Sequence, residues 1–194
     1  MSFKLKSIWW AVKLFFIRIY YGNPAKKLKI IGVTGTNGKT TTTTLLYKVA
    51  TILGHKSGLI GTVEILINGE KYEPKRKVPA TTPDSVTLVK IFDRMVKARC
   101  EYVFMEVSSH AVVQNRIAGI HFHGGVFTNL THDHLDYHKT FKNYFLAKKK
   151  FFDMLPVKSW ALSNADDEHG KRILEDTQAQ PFYYGFEYER EKID

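Results

Sequence analysis

The ten residues "GVTGTNGKTT" at 32–41 constrain this chain more than any other stretch. They follow the β-branched run "LKIIGV" (28–33) and open the helix-prone segment "TTTTTLLYKVATILG", which closes at Gly54. A strand that turns through glycines into a helix start is built to hold an anion, because backbone N–H groups and the positive helix end point the same way. Gly35 and Gly38 let the backbone turn without a Cβ in the way. Lys39 can reach β- and γ-phosphates, and Thr40 or Thr41 can place a hydroxyl on Mg²⁺. The strict pattern G-x-x-x-x-G-K-[ST] wants glycine at position 33, where the chain has Val33, so this is a variant phosphate loop. A turn that held no ligand would give Lys39 little to do.

Around this loop, strand-like and helix-like segments alternate. "KSGLIGT" (56–62), "YVFMEV" (102–107), "GGVFTNL" (124–130), "SWALSNAD" (159–166) and "FYYGF" (182–186) read as strands, or as strands running into loops. Asn68-Gly69 between alternating apolar residues marks a hairpin. Helices are expected over 85–98, capped by Asp84 or Ser85, over 140–155, and over 168–177; a loop is expected over 79–83. The pattern predicts an α/β fold with a mostly parallel sheet flanked by helices on both faces. Ligands in such folds gather at the carboxyl ends of the strands.

A length of 194 residues suits one well-buried domain. We expect an N-terminal amphipathic helix within 1–21 and a single domain over 22–194. Trp9, Trp10 and Phe15 with flanking lysines allow the helix to lie on a membrane surface; packing on its own domain is the simpler expectation. Its apolar run is short of the ~20 residues that span a bilayer. The net charge of +10 fits nucleic acid, anionic lipid or a polyanionic small molecule, and no zinc-finger, RNP or helix-turn-helix pattern favours nucleic acid. The single cysteine, Cys100, excludes an internal disulfide framework and suits a reducing compartment.

The stretch "THDHLDYH" (131–138) places His132, His134, Asp136 and His138 close to the H-x-H-x-D-H spacing of zinc metallohydrolases. Tyr137 moves the last histidine one position out of register.

"GVTGTNGKTTT" resembles the ATP-binding signature of the Mur ligase superfamily, amide-forming enzymes of peptidoglycan synthesis to which folylpolyglutamate synthases are related. "TTPD" (81–84), "MEVSSHAVVQNR" (105–116), "FTNLTHDHLDYH" (127–138) and "YFLAKKKFF" (144–152) match in order, and lean toward the branch that adds the third residue of the peptide stem. The resemblance implies a central ATP-binding domain of the P-loop type. It implies ATP held by Gly35, Thr36, Asn37, Gly38, Lys39, Thr40, Thr41 and Asn129. Two Mg²⁺ ions are implied, with Thr40, Glu106, His134 and Lys148 as ligands, Lys148 after carbamylation by CO₂. Lys39, His134 and Lys148 would carry the chemistry, and His132, Asp133, Asp136 and His138 would be supporting loop residues.

The same resemblance implies that Thr81, Thr82, Ser108, Gln114 and Arg116 hold a UDP-MurNAc-dipeptide. The γ-phosphate of ATP would pass to its D-glutamate side-chain carboxylate, and an amino acid would displace phosphate to form an amide. The family's usual N-terminal uridine-binding and C-terminal domains have no counterpart in these 194 residues, so a fragment or truncated form, incomplete at its C-terminal end and located in a bacterial cytoplasm, is expected. Rival readings are a folylpolyglutamate-type ligase, an ATP-binding module without turnover, and a zinc hydrolase.

Overall fold

The computed structural model describes residues 3–74 and 81–186. The chain begins with helix α1 (Phe3–Tyr20), which Gly22 closes at φ 66°. There Gly22 N donates to Ile19 O and Asn23 N to Arg18 O, both at 2.8 Å, satisfying carbonyls the helix end would leave open. A 3₁₀ turn at Pro24–Lys27 leads into β1 (Lys29–Thr34), α2 (Lys39–Ile52), β2 (Ser57–Ile60), β3 (Ile65–Ile67) and β4 (Glu70–Lys71). Next come α3 (Ser85–Lys97), β5 (Tyr102–Glu106), α4 (Ser109–Val113), β6 (Phe122–Phe127) and α5 (Leu135–His138). The described chain ends with α6 (Phe141–Asp153), β7 (Trp160–Asn164), a 3₁₀ turn at Arg172–Leu174, and β8 (Gln180–Tyr184).

Among the described residues, eight strands form one sheet in the order β4-β3-β2-β5-β1-β6-β7-β8. The six from β2 to β8 are parallel, and the β3–β4 hairpin extends one edge antiparallel. Asn68 and Gly69 take φ of 49° and 92°, the double left-handed geometry of a tight hairpin turn. Alternation along the strands splits the core in two. Ile30, Val103, Met105 and Phe127 pack with Leu88, Phe92 and Met95 of α3 and with Phe151 and Phe152 of α6. Ile31, Val33, Leu59, Phe104 and Val126 face the other way, onto Tyr47 and Ala50 of α2.

The predicted sheet with helices on both faces is what the structure has, with α3, α4 and α6 on one side and α2 on the other. From β1 the chain steps through α2 to β2; from β5 it crosses β1 to reach β6. The loops after the adjacent strands β1 and β5 therefore part, leaving a crevice of the kind where doubly wound sheets bind ligands.

The helix expected over 168–177 shrinks to the 3₁₀ turn. Asp167 Oδ1 accepts His169 N at 2.9 Å, and a Cβ at Gly170 would come within 1.8 Å of Asn164 O, so this segment folds as a tight turn. The short helices α4 and α5 were not expected, and the last strand is shifted to Gln180–Tyr184. Residues 75–80, with Pro79 of the expected 79–83 loop among them, and 187–194 lie outside the described residues. No helix of the described residues is long and apolar enough to cross a membrane.

Candidate functional site

The turn from β1 into α2 is shaped by glycines and clamped from a distance. Gly35 has φ 156° and Gly38, the residue before α2, has φ 82°. A Cβ on Gly35 would meet Thr128 Oγ1 at 1.8 Å, so only glycine fits there. Thr128 Oγ1 donates to Asn37 O at 2.6 Å, and Asn129 Oδ1 accepts Asn37 N at 2.9 Å. Thr36 N donates to Asn129 O at 2.8 Å, and Thr131 N to Thr36 Oγ1 at 2.9 Å. The segment after β6 thus holds the loop after β1. Behind it, Asn164 Nδ2 donates to Thr128 O at 3.0 Å and Leu130 N donates to Asp167 Oδ2 at 2.8 Å.

Two lysines converge on this loop. Lys39 Nζ donates to Gly35 O at 2.8 Å and Thr36 O at 2.7 Å, while Lys148 Nζ donates to the same Gly35 O at 2.7 Å. Lys148 is 1% exposed, with Nζ 4.6 Å from the ring centroid of Tyr144, one helical turn earlier on α6. Tyr144 in turn places its hydroxyl 3.2 Å from Thr36 Oγ1. Burial, reinforced by repulsion from Lys39, pushes the Lys148 ammonium well below the usual lysine range. Burial also lowers Lys39, against the attraction of Glu106 and Asp133.

Glu106 ends β5 and is almost fully buried. Its Oε1 accepts Thr40 Oγ1 at 2.9 Å and Thr62 N at 2.8 Å, and its Oε2 accepts Thr62 Oγ1 at 3.0 Å. Thr40 faces the carboxylate, whereas Thr41 is exposed. Hydroxyl and carboxylate oxygens beside a phosphate loop are the donor set a hard divalent cation takes.

The histidines of 131–138 split, His132 apart from His134 and His138, whose rings both lie near His110. His132 packs on the Phe141 ring at 4.8 Å, and His138 is buried with Nε2 2.9 Å from Ser109 Oγ. His134, held at φ 53° before α5, sets its ring 5.0 Å from His110 and 6.0 Å from Tyr144. Burial and the neighbouring histidines lower the pKa values of His110 and His138. Among the described residues, no group of three or more His, Cys, Asp or Glu side chains could hold a metal. The zinc spacing read in the sequence therefore does not become a zinc-like cluster.

The residues expected to hold an acceptor form a second network. Thr82 Oγ1 donates to Glu106 O at 2.9 Å and accepts Ser108 N at 3.0 Å. Ser108 Oγ accepts Ala111 N at 3.2 Å and caps α4. Arg116 donates through Nη1 to Thr82 O at 2.8 Å and through Nε and Nη2 to Gln114 Oε1 at 2.9 and 2.6 Å. Gln114 Nε2 donates to Tyr137 OH at 3.2 Å, and the Tyr137 ring lies 4.0 Å from His110. Thr81 is half-buried beside this network.

A family model described as the Mur ligase middle domain matches residues 33–194. This chain belongs to the Mur ligase family. Curated relatives include the UDP-N-acetylmuramoyl-L-alanyl-D-glutamate–2,6-diaminopimelate ligases of Parabacteroides distasonis, 55% identical, and Cytophaga hutchinsonii, 54% identical, each over 165 residues. Those alignments cover 85% of the chain and 33% of each relative, so the chain spans about a third of their length. A solved structure of a ligase with the same printed name superposes at TM-score 0.68 with 28% identity, covering 81% of this chain and 32% of that one. The folylpolyglutamate synthase of Mycobacterium tuberculosis, complexed with ADP and AMPPCP, has a TM-score of 0.68 at 17% identity, covering 90% of this chain and 46% of that one, and shares the fold.

In this Mur ligase domain, sequence reading missed Thr62, Thr128, Tyr144 and His110 as parts of the site. Thr62 lies just past β2 and Thr128 just past β6, where a parallel sheet gathers ligands, and Tyr144 precedes Lys148 by one helical turn. Those positional signals could have found these three residues.

Proposed function

We propose that this chain is the catalytic centre of an ATP-dependent carbon–nitrogen ligase of peptidoglycan precursor synthesis. The observation that carries the reading is the meeting of Lys39 and Lys148 on Gly35 O, beside the Thr40–Glu106 pair, in the crevice between the loops after β1 and β5. The acceptor is UDP-MurNAc-L-Ala-D-Glu and the incoming amino acid is 2,6-diaminopimelate, a choice supported by the printed names of relatives up to 55% identical. The location is cytoplasmic, where ATP and a nucleotide-linked acceptor meet.

Gly35, Thr36, Asn37, Gly38, Lys39, Thr40, Thr41 and Asn129 cradle the nucleotide. Lys39 swings from its carbonyl partners onto the phosphates and offsets charge as the γ-phosphoryl group moves to the D-glutamate carboxylate. Thr40 and Glu106 would hold one Mg²⁺, and His134 with Lys148 would serve a second. Mg²⁺ supplies charge neutralisation on the phosphate oxygens. A depressed pKa favours the neutral Lys148 amine, which adds to CO₂, forming an N–C bond and releasing a proton, to give a carbamate with oxygen donors. Thr81, Thr82, Ser108, Gln114 and Arg116 orient the acceptor, Arg116 as a fork for carboxylate or pyrophosphate oxygens.

Calorimetric titration of Mg-ATP into the purified chain, beside Lys39→Ala, tests this reading. Saturable binding that the variant loses supports it. Binding unchanged by the variant removes Lys39 from the site. A nucleotide module without turnover would bind but never transfer phosphate to the muramyl dipeptide, and a polyglutamate ligase would prefer a folate acceptor.

A further inference from the structure

The first 28 residues contain Lys4, Lys6, Lys13, Arg18, Lys26 and Lys27, and no acidic residue precedes Glu64. Within α1, Leu14 is buried, and Arg18 reaches back to the Ala118 carbonyl, docking one edge of the helix on the domain near α3. The opposite edge carries Trp9, Val12, Phe15, Phe16, Ile19 and Tyr20, which are 48–84% exposed. At about 100° per residue these six occupy one arc of roughly 140°, centred away from Leu14 and Arg18. Lys13 borders that arc, with Nζ 5.7 Å from the Trp9 ring centroid.

Such a helix is amphipathic in an inverted sense: its polar anchor Arg18 faces the protein, and its aromatic stripe faces out. A continuous apolar stripe of this size on a soluble surface marks a contact. A second copy is a poor occupant. A two-fold contact would bring the same helix against itself, and a helix without an acidic residue cannot neutralise its own cations. Exposed aromatics on a helix without an acidic residue, with no carboxylate in the first 63 residues, fit a surface that is apolar just below a layer of negative charge.

We propose that α1 docks this domain on anionic lipid surfaces, with Trp9, Phe15, Phe16 and Ile19 entering the headgroup–acyl boundary and no acidic residue of the helix opposing the negative charge above it. The helix lies in the plane of the interface, since it does not span a bilayer.

The test is flotation of the full chain with vesicles of phosphatidylcholine alone and of phosphatidylcholine mixed with phosphatidylglycerol. The expected result is co-flotation with the anionic vesicles, little with the neutral ones, and weakening as salt rises. The triple variant Phe15→Ser/Phe16→Ser/Ile19→Ser should lose at least about tenfold in partitioning while keeping its circular dichroism and Mg-ATP binding. Should that variant fail to fold, Trp9→Ser carries the test, with a severalfold drop expected in partitioning onto anionic vesicles. Flotation unchanged by either variant, or none with anionic vesicles, overturns the proposal. So does a lipid-free dimer in ultracentrifugation that the triple variant dissolves, which would give the stripe to a second copy.

Discussion

Lys39 and Lys148 donate to one acceptor, the Gly35 carbonyl oxygen, at 2.8 and 2.7 Å. Two ammonium groups on a single neutral oxygen repel each other, and burial adds to the cost of charging Lys148.

The sign of that cost is testable. A lysine whose folded pKa lies below its unfolded value of about 10.4 binds fewer protons when folded, so stability rises with pH between the two values. Lys148→Met should therefore stabilise the chain in CO₂-free buffer at neutral pH by on the order of 1 kcal/mol, or roughly 2–4 °C in Tm. The difference from the parent should shrink as pH climbs toward the ordinary lysine value. Thermal melts across pH check this, and a variant less stable than its parent at every pH would contradict it.

Gly35→Ala puts a methyl group 1.8 Å from Thr128 Oγ1. It should destabilise the chain by about 1–3 kcal/mol and weaken Mg-ATP binding. Adding Thr128→Ala removes the clashing oxygen, so the double variant should lose less than the sum of the two single losses. Urea unfolding of all four proteins gives the coupling.

Glu106→Gln keeps one carbonyl-type acceptor for Thr40 and Thr62 but removes the charge. The fold should survive, with Tm within a few degrees, while Mg²⁺-dependent nucleotide affinity falls about tenfold or more. Titrations with ATP in Mg²⁺ and in EDTA separate the two effects, and equal affinities in both proteins with Mg²⁺ would remove Glu106 from the metal site.

Thr82 is fully buried, and its hydroxyl pairs Glu106 O with Ser108 N. Thr82→Val strands both backbone groups and should cost about 1–3 kcal/mol. Thr82→Ser keeps the hydroxyl and should cost less, which chemical denaturation will show.

Much of this was readable before any coordinates. The turn from β1 into α2 announced itself because glycine, lysine and threonine fall at fixed steps between a strand and a helix, and such local chemistry survives in one dimension. Asn68-Gly69 gave its hairpin for the same reason. What escaped depended on distant segments. The helix expected over 168–177 runs through Gly170; the turn found there follows from Asn164 and Asp167, with Asp167 also fastened to Leu130 N. The separation of His132 from His134 and His138 likewise follows from partners on other elements, Phe141 for the first and His110 for the other two.

The same distance has a kinetic side. The hydrogen bonds that shape the phosphate loop join residues 91 to 113 positions apart. Contacts so remote are made late, because chain-closure entropy must be met before they contribute. A growing chain would form β1 and α2 long before α6 emerges to deliver Lys148, and until then the glycine turn has no fixed shape. The finished shape of this turn is in this sense a certificate of completed folding, and a ligand that bound only the finished turn would stabilise the final docking step.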